Sequence, residues 1–405
     1  MKAYVFPGQG AQNKGMGKAL FEEFPELVSS ADKILGYSIK ELCLEDPESK
    51  LGFTEYTQPA LYTVNALTYL KKCKETQESP DFVAGHSLGE YNALHAAGAF
   101  DFETGLKLVK KRGELMGKAS GGGMAAVIGL KEKQISHILQ TEGLSQIDIA
   151  NYNCPSQIVI SGPKEAIIQA QTVFESNPEV KLYSILNVSG AFHSRYMKAS
   201  SELFEQFLAD FNFGELKIPV ISNVSARPYK QRDIKDNLIK QITHSVRWTD
   251  TIRLLLGLGE VAFEEIGIGR TLTGLIRYIK AEADPLMIGS DEYKEYFMQK
   301  EKGETDKKYS NEKSHADKDS GENKSVIDIT YESLGSEEFK RDYNLRYAYI
   351  TGAMYRGVSS KDLVVRMGKA GMLGFLGTGG LSLEEVEASI KYIQEKLSEG
   401  QAYGM

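Results

Sequence analysis

Cysteine is scarce: the 405 residues include three, Cys43, Cys73 and Cys154, an odd number without CxxC spacing. A disulfide framework and a zinc cluster are therefore not expected, and no metal site is predicted. Such usage suits a reducing, cytoplasmic compartment. Runs of about 18 apolar residues are absent, so no membrane-spanning helix is predicted. The opening MKAYVFPGQGAQ breaks at Pro7 and Gly8 after a short strand-like run, which is too little apolar sequence for a signal peptide. Surplus positive charge is missing too. Lys and Arg number 48 against 55 Asp and Glu, a net charge of -7, which argues against a broad nucleic-acid footprint. What remains is ordinary globular composition, 41% hydrophobic and 25% charged, in a chain long enough for two or three domains.

Leu, Ile, Val, Phe and Met are all absent from residues 301–325, about half of which are charged. Such a stretch cannot bury enough apolar surface to offset its ordering entropy and reads as a linker, taken as 291–330. It separates a body at 1–290 from a tail at 331–405. Within the body, AYVF at 3–6 and DFVAG at 81–85 read as strands, while 17–35 and 59–74 read as helices. Strand, crossover helix and returning strand predict a parallel α/β sheet. The middle differs, because residues 124–189 run strand, helix, strand, strand, helix, strand, the order of a small inserted βαββαβ subdomain. A final apolar run lies at 285–288.

Gly85-His86-Ser87-Leu88-Gly89 follows an apolar strand and precedes the helix-forming EYNALHAAGA. GxSxG alone is weak evidence, but this context is the one a nucleophile elbow needs. A serine hydroxyl requires a base, and the chain has six histidines. His315 falls in the linker, His137 on a Lys- and Gln-rich helix, and His95 within the helix after the elbow. His86 projects from the other side of the turn. His193, in the small-residue loop GAFHS, is the best placed, and His244 stays an alternative. No Asp stands at the spacing of a hydrolase triad, so the spacing assigns no third group.

Six segments in order, VFPGQGAQ (5–12), TQPAL (57–61), GHSLGEYNAL (85–94), LVKKRGELM (108–116), GAFHS (190–194) and SVRWTD (245–250), resemble those of the malonyl-CoA:acyl carrier protein transacylases. The resemblance covers about residues 1–290. It implies an α/β-hydrolase-like large subdomain with an inserted ferredoxin-like small subdomain and a site in the cleft between them. Carried over by position, Ser87 is the nucleophile, His193 the general base, and the backbone N–H groups of Gln9 and Leu88 the oxyanion hole. Arg112, which alone reads as a solvated helix arginine, becomes the anchor of the malonyl carboxylate. Phe192 becomes a steric check on the substrate's α-carbon, while Asn151 and Asn153 align with polar residues near the pocket. The carbonyl of Arg247 is the expected orienting group for His193. Lys110, Lys111 and Arg195 are expected to flank the cleft as a local basic patch.

The implied reaction moves a malonyl group from malonyl-CoA to the phosphopantetheine thiol of an acyl carrier protein of a polyketide or fatty acid synthase. The second reading is a thioester hydrolase using the same Ser and His. Residues 334–381 resemble the N-terminal part of a different family, the flavin-dependent enoyl reductases fused after some polyketide acyltransferases. About 250 residues make a TIM barrel, so the tail is expected to be an incomplete reductase. No cofactor is expected for this chain; FMN would belong only to a complete C-terminal reductase.

Overall fold

A computed structural model of the protein describes residues 1–76, 78–289, 336–351, 360–378, 381–398 and 400–404. The chain divides into two compact units, Met1–Asn311 and Glu312–Met405. The expected linker, 291–330, falls wholly outside the described residues.

In the first unit, β1 (Lys2–Phe6) leads into α1 (Lys18–Glu23), α2 (Pro25–Leu35), α3 (Ile39–Glu45) and α4 (Thr54–Thr76). Next come β2 (Phe82–Gly85), α5 (Gly89–Ala96) and α6 (Phe102–Gly117). The insert comprises β3 (Gly122–Ile128), α7 (Glu132–Thr141), β4 (Asp148–Cys154), β5 (Gln157–Pro163), α8 (Lys164–Glu175) and β6 (Leu182–Ile185). The chain then returns through α9 (Lys198–Leu208), β7 (Val220–Ile221), α10 (Ile234–Gln241), α11 (Trp248–Gly257), β8 (Ala262–Glu265) and α12 (Thr271–Glu282).

The large sheet has the order β7-β2-β1-β8, with every pairing parallel. Its inner strands β1 and β2 run almost wholly apolar because both faces are covered, whereas the edge strand β8 carries Glu264 and Glu265. Tyr4 and Phe6 enter one core with Val83 and Val220, whereas Ala3 and Val5 enter another with Phe82, Ala84 and Ile221. One helical layer on each face follows from that alternation. The insert forms an antiparallel sheet of order β4-β5-β3-β6. Ala125, Val127, Ile158 and Ile160 pack there against Ile135, Leu139 and Ile167 of its own helices. The opposite face, through Met124, Ala126 and Val159, joins the core of the large subdomain. The order and hand of pairing are those of a ferredoxin-like sheet, so the architecture is the two-subdomain α/β fold expected from the sequence.

Some boundaries differ. The helix expected over 17–35 is broken at Phe24, where Pro25 starts α2. Helix α4 starts before Pro59, at Thr54, and carries the proline near its first turns. The apolar run at 285–288 is not a strand; Leu286 donates its N–H to the Arg253 carbonyl at 2.8 Å and packs on the second core.

The second unit holds a three-stranded parallel sheet in which β10 (Leu373–Phe375) lies between β9 (Ile350–Thr351) and β11 (Tyr403–Gly404). Helices α13 (Glu337–Asp342), α14 (Lys361–Lys369) and α15 (Leu383–Lys396) accompany it, the last with a capping box from Ser382 and Glu385. Neighbouring parallel strands in chain order, joined by helices, are consecutive βα units. No helix among the described residues is long and apolar enough to cross a membrane.

Candidate active site

The end of β2 turns into α5 within a few residues, and the turn depends on three glycines. A Cβ on Gly85 would be driven into the backbone of Gly89, and one on Gly89 into the Phe6 carbonyl. Gly8 lies equally tight against the carbonyl of His86, so the loops after β1 and β2 touch. At the apex Ser87 adopts φ +51°, the strained left-handed conformation of an elbow. Leu88 then caps the N-terminus of α5. The N–H groups of Gln9 and Leu88 have no hydrogen-bond partner among the described residues.

Ser87 Oγ lies 2.7 Å from His193 Nε2. His193 stands in the loop after β6 with φ +58° and is 4% exposed. Its Nδ1 lies 2.8 Å from the carbonyl oxygen of Gln241, so the bond Nδ1–H donates there fixes the tautomer whose Nε2 accepts from Ser87. The expected partner, Arg247, is corrected here. The Arg247 carbonyl accepts the Thr251 N–H at 2.9 Å in the first turn of α11, and its guanidinium pairs with Asp250. Gln241 instead ends α10, where carbonyls lack helical partners.

Arg112 points inward, 1% exposed, from the face of α6 that also buries Val109 and Met116. Gly113 lets α4 approach closely, and Arg112 Nη1 donates to Gln58 Oε1 of that helix at 2.7 Å. Nη2 donates to Gln241 Oε1 at 2.9 Å and to Ser87 Oγ at 3.2 Å. The guanidinium stacks 5.5 Å from the Tyr91 ring centre, and its buried Nε–H has no partner among the described residues.

Beneath the elbow, Asn223 accepts the Ser87 N–H at 2.7 Å and donates to the Gly85 carbonyl at 2.6 Å. Glu90, fully buried, accepts from the Asn223 N–H at 2.7 Å, the Tyr229 hydroxyl at 2.9 Å and Gln241 Nε2. Gln241 Nε2 also donates to the Ser87 carbonyl at 2.8 Å. Burial pushes the Glu90 carboxyl up to about 7, against those hydrogen bonds and the Arg112 cation, which favour ionisation. Burial, and then Arg112, push His193 down to about 3, so its imidazole is neutral. Burial likewise lowers Arg112.

A cleft of about 960 Å³ between the subdomains ends on His193 and is lined by Asp148, Ile149, Tyr152, Arg195 and Ser245 among others. The insert is tied there by a parallel bridge of Asn151 to Val246 and by a bidentate pair of Arg195 with Asp148. Asn153 does not meet Ser87; its side chain holds His86 Nε2 at 2.8 Å. Phe192 is 5% exposed and belongs to the large core beside the base. His244 lies exposed at the cleft, 2.8 Å from the Lys240 carbonyl, and is not bonded to Ser87. His95 bonds the Phe100 carbonyl inside the core. Of the three expected flanking cations, Arg195 lines the cleft, whereas Lys110 reaches the Ile34 carbonyl and Lys111 the Phe207 ring. Among the described residues no group of three His, Cys, Asp or Glu could hold a metal.

An elbow serine, a neutral histidine oriented by a backbone carbonyl, two free N–H groups and a buried cation, set between a parallel sheet and an inserted antiparallel one, are the parts that covalent acyl chemistry on a serine requires. The model of the acyl transferase domain family matches residues 3–276, and the chain belongs to that family. The polyketide biosynthesis malonyl CoA-acyl carrier protein transacylase BaeC of Bacillus velezensis is 60% identical over 289 residues, 71% of this chain and all of BaeC. Polyketide biosynthesis protein PksE of Bacillus subtilis is 56% identical over 405 residues, all of this chain and 50% of PksE. The chain therefore spans half the length of that relative. A crystal structure of malonyl CoA-acyl carrier protein transacylase from Burkholderia pseudomallei superposes with a TM-score of 0.68 at 50% identity, over 70% of this chain and 99% of that one.

Proposed function

We propose that the first unit transfers malonyl groups from malonyl-CoA to an acyl carrier protein of a polyketide synthase. His193 Nε2 takes the Ser87 proton as Oγ attacks the thioester carbonyl, and the N–H groups of Gln9 and Leu88 receive the oxyanion. Collapse breaks the C–S bond, His193 protonates the departing CoA thiolate, and Ser87 carries the malonyl ester. The carrier's phosphopantetheine thiol then gives its proton to His193 and attacks the ester, and that proton returns to Ser87. Arg112 grips the free carboxylate of the malonyl group at two points. Because the Arg112 cation is one of the causes that depress His193, a carboxylate bound there offsets it, and the base strengthens when the correct substrate arrives.

The observation that carries this reading is the buried guanidinium beside Ser87 Oγ with a buried, unpartnered Nε–H. A hydrolase of neutral acyl chains would leave that buried Nε–H without an acceptor, which costs binding. Phe192 is the side chain we assign to crowding an α-substituent, with Asn151 holding the cleft wall. Incubation with malonyl-CoA followed by intact-mass measurement should give one adduct, absent in Ser87→Ala. An unmodified wild type would refute the reading. We place the reaction in the cytoplasm on the three unpaired cysteines, and expect neither nucleic acid nor membrane as partner. For the second unit we infer the N-terminal portion of a flavin-dependent reductase that binds no FMN as it stands; flavin absorbance retained after gel filtration with FMN would contradict this.

A further inference from the structure

The transfer steps leave one buried titratable side chain without a part, Glu90 on α5. We propose that Glu90 is a positioning residue of this site: its carboxylate is the remote counter-ion of Arg112, and through Gln241 and Asn223 it holds nucleophile, base and carboxylate anchor in register. This deepens the malonyl-transfer reading and rests on it.

The donors around Glu90 decide its form. Asn223 presents a backbone N–H at 2.7 Å and Gln241 an amide NH₂, neither of which can accept, and the Tyr229 hydroxyl completes the set at 2.9 Å. Acceptors are required on both carboxyl oxygens, which is what the ionised group supplies. With Nε2 committed to Glu90 and to the Ser87 carbonyl, Gln241 must turn Oε1 to Arg112 Nη2, 2.9 Å away. Its amide dipole is thus held between an anion and a cation, and the same residue's backbone oxygen orients His193. On the other side Asn223 clamps both ends of the elbow turn, at Ser87 N–H and the Gly85 carbonyl. One residue therefore separates Glu90 from each working group.

The spacing also answers a problem of charge. A carboxylate bonded directly to Arg112 would compete with the substrate's own carboxylate. Held one amide away, it compensates the buried cation and leaves Nη2 beside Ser87 Oγ and Nε–H unpartnered. The charged or titratable groups facing Glu90 are Arg112 from α6, Tyr229 from the loop after β7, and Tyr91 on its own helix. Burial raises the carboxyl to about 7, so the ionised population, and transfer with it, should fall below that pH.

Transfer to a phosphopantetheinylated carrier protein is measured on the full chain from about pH 5.5 to 8.5. The wild-type kcat should show an acid limb at about 7. Glu90→Gln sets an amide N–H against a donor; it should lower kcat about 10- to 100-fold at about pH 8, keep KM for malonyl-CoA within about threefold, and abolish the limb. Glu90→Asp, retaining the charge, should recover kcat to within about tenfold of wild type. A flat wild-type profile overturns the proposal, as does a folded Glu90→Gln with wild-type kcat or an unshifted limb. If neither variant folds, the wild-type profile decides. A wild type that forms no seryl malonate refutes the transfer reading and this inference together; normal malonylation with unaltered Glu90→Gln kinetics refutes this inference alone.

Discussion

Replacing Arg112 by Ala tests the chemistry most directly. The side chain does two things: it ties α6 to Gln58 and Gln241, and it presents Nη2 3.2 Å from Ser87 Oγ while its Nε–H is left unpartnered. A hydrogen bond to a charged group contributes about 1.5–3 kcal/mol, so a two-point grip on the substrate carboxylate amounts to about 3–6 kcal/mol. Acetyl-CoA has no such carboxylate and forgoes it. The ratio of kcat/KM for Ser87 acylation by malonyl-CoA over acetyl-CoA should therefore fall by about 10² to 10⁴ in Arg112→Ala, with most of the loss on the malonyl side. Single-turnover acylation with both thioesters, read by intact mass, gives the ratio without interference from the carrier protein. If both substrates slow by the same factor, Arg112 supports the site only through Gln58 and Gln241, and the carboxylate is held elsewhere.

Other substitutions separate packing from chemistry. Gly85→Ala places a Cβ in the Gly89 backbone and should destabilise the first unit by more than about 3 kcal/mol in urea denaturation; a wild-type midpoint would show that the elbow can relax. Phe192→Ala should cost about 3–5 kcal/mol of stability and relax discrimination against methylmalonyl-CoA by about 10- to 100-fold, and an unchanged substrate ratio would leave Phe192 a packing residue only. Asp148→Asn cuts the pair with Arg195 at the cleft mouth, where Arg195 is mostly exposed, and should shift stability by less than about 1 kcal/mol in the same assay.

Much of the scaffold was legible because its causes are local. AYVF and FVAG read as central strands since both sheet faces are covered, and the glycines of the elbow announce a turn that no other residue could make. The inward direction of Arg112 was not legible from the helix pattern, because Lys110 and Lys111 beside it do lie on the outside of the site; only the resemblance pointed to it. Gln241 and Glu90 were missed, although each left a signal. Ile234, Leu238 and Gln241 share the buried face of α10 at helical spacing, so a glutamine stands at a core position. Helix α5 is buried on residues Gly89 to Leu94 without a break, so Glu90 has no polar face to occupy. Arg247 was misassigned for a deeper reason. Which carbonyl is free depends on where a helix ends, and a backbone oxygen carries no side-chain signature.

The two shifted groups of the site also make a thermodynamic prediction about pH. His193 has its folded value depressed to about 3 from the ordinary 6.5, so it contributes stability that is present above 6.5 and lost as pH falls toward 3. Glu90 has its folded value raised from 4.5 to about 7, so its contribution is present below 4.5 and lost as pH rises through 7. Between about pH 5 and 6 the unfolded chain holds one more proton at residue 193 and one fewer at residue 90 than the folded chain, and the slopes, each about 1.4 kcal/mol per pH unit, cancel. Glu90→Gln removes one side of the balance. Relative to wild type, its stability in urea should rise by about 1.4 kcal/mol from pH 5 to pH 6, whereas His193→Gln should fall by a similar amount. Taking differences removes every other titrating group common to the two proteins, Arg112 included. Curves for wild type and both variants that stay parallel across this window would mean that burial shifts neither group, and with that the acid limb near pH 7 assigned to Glu90 would be lost.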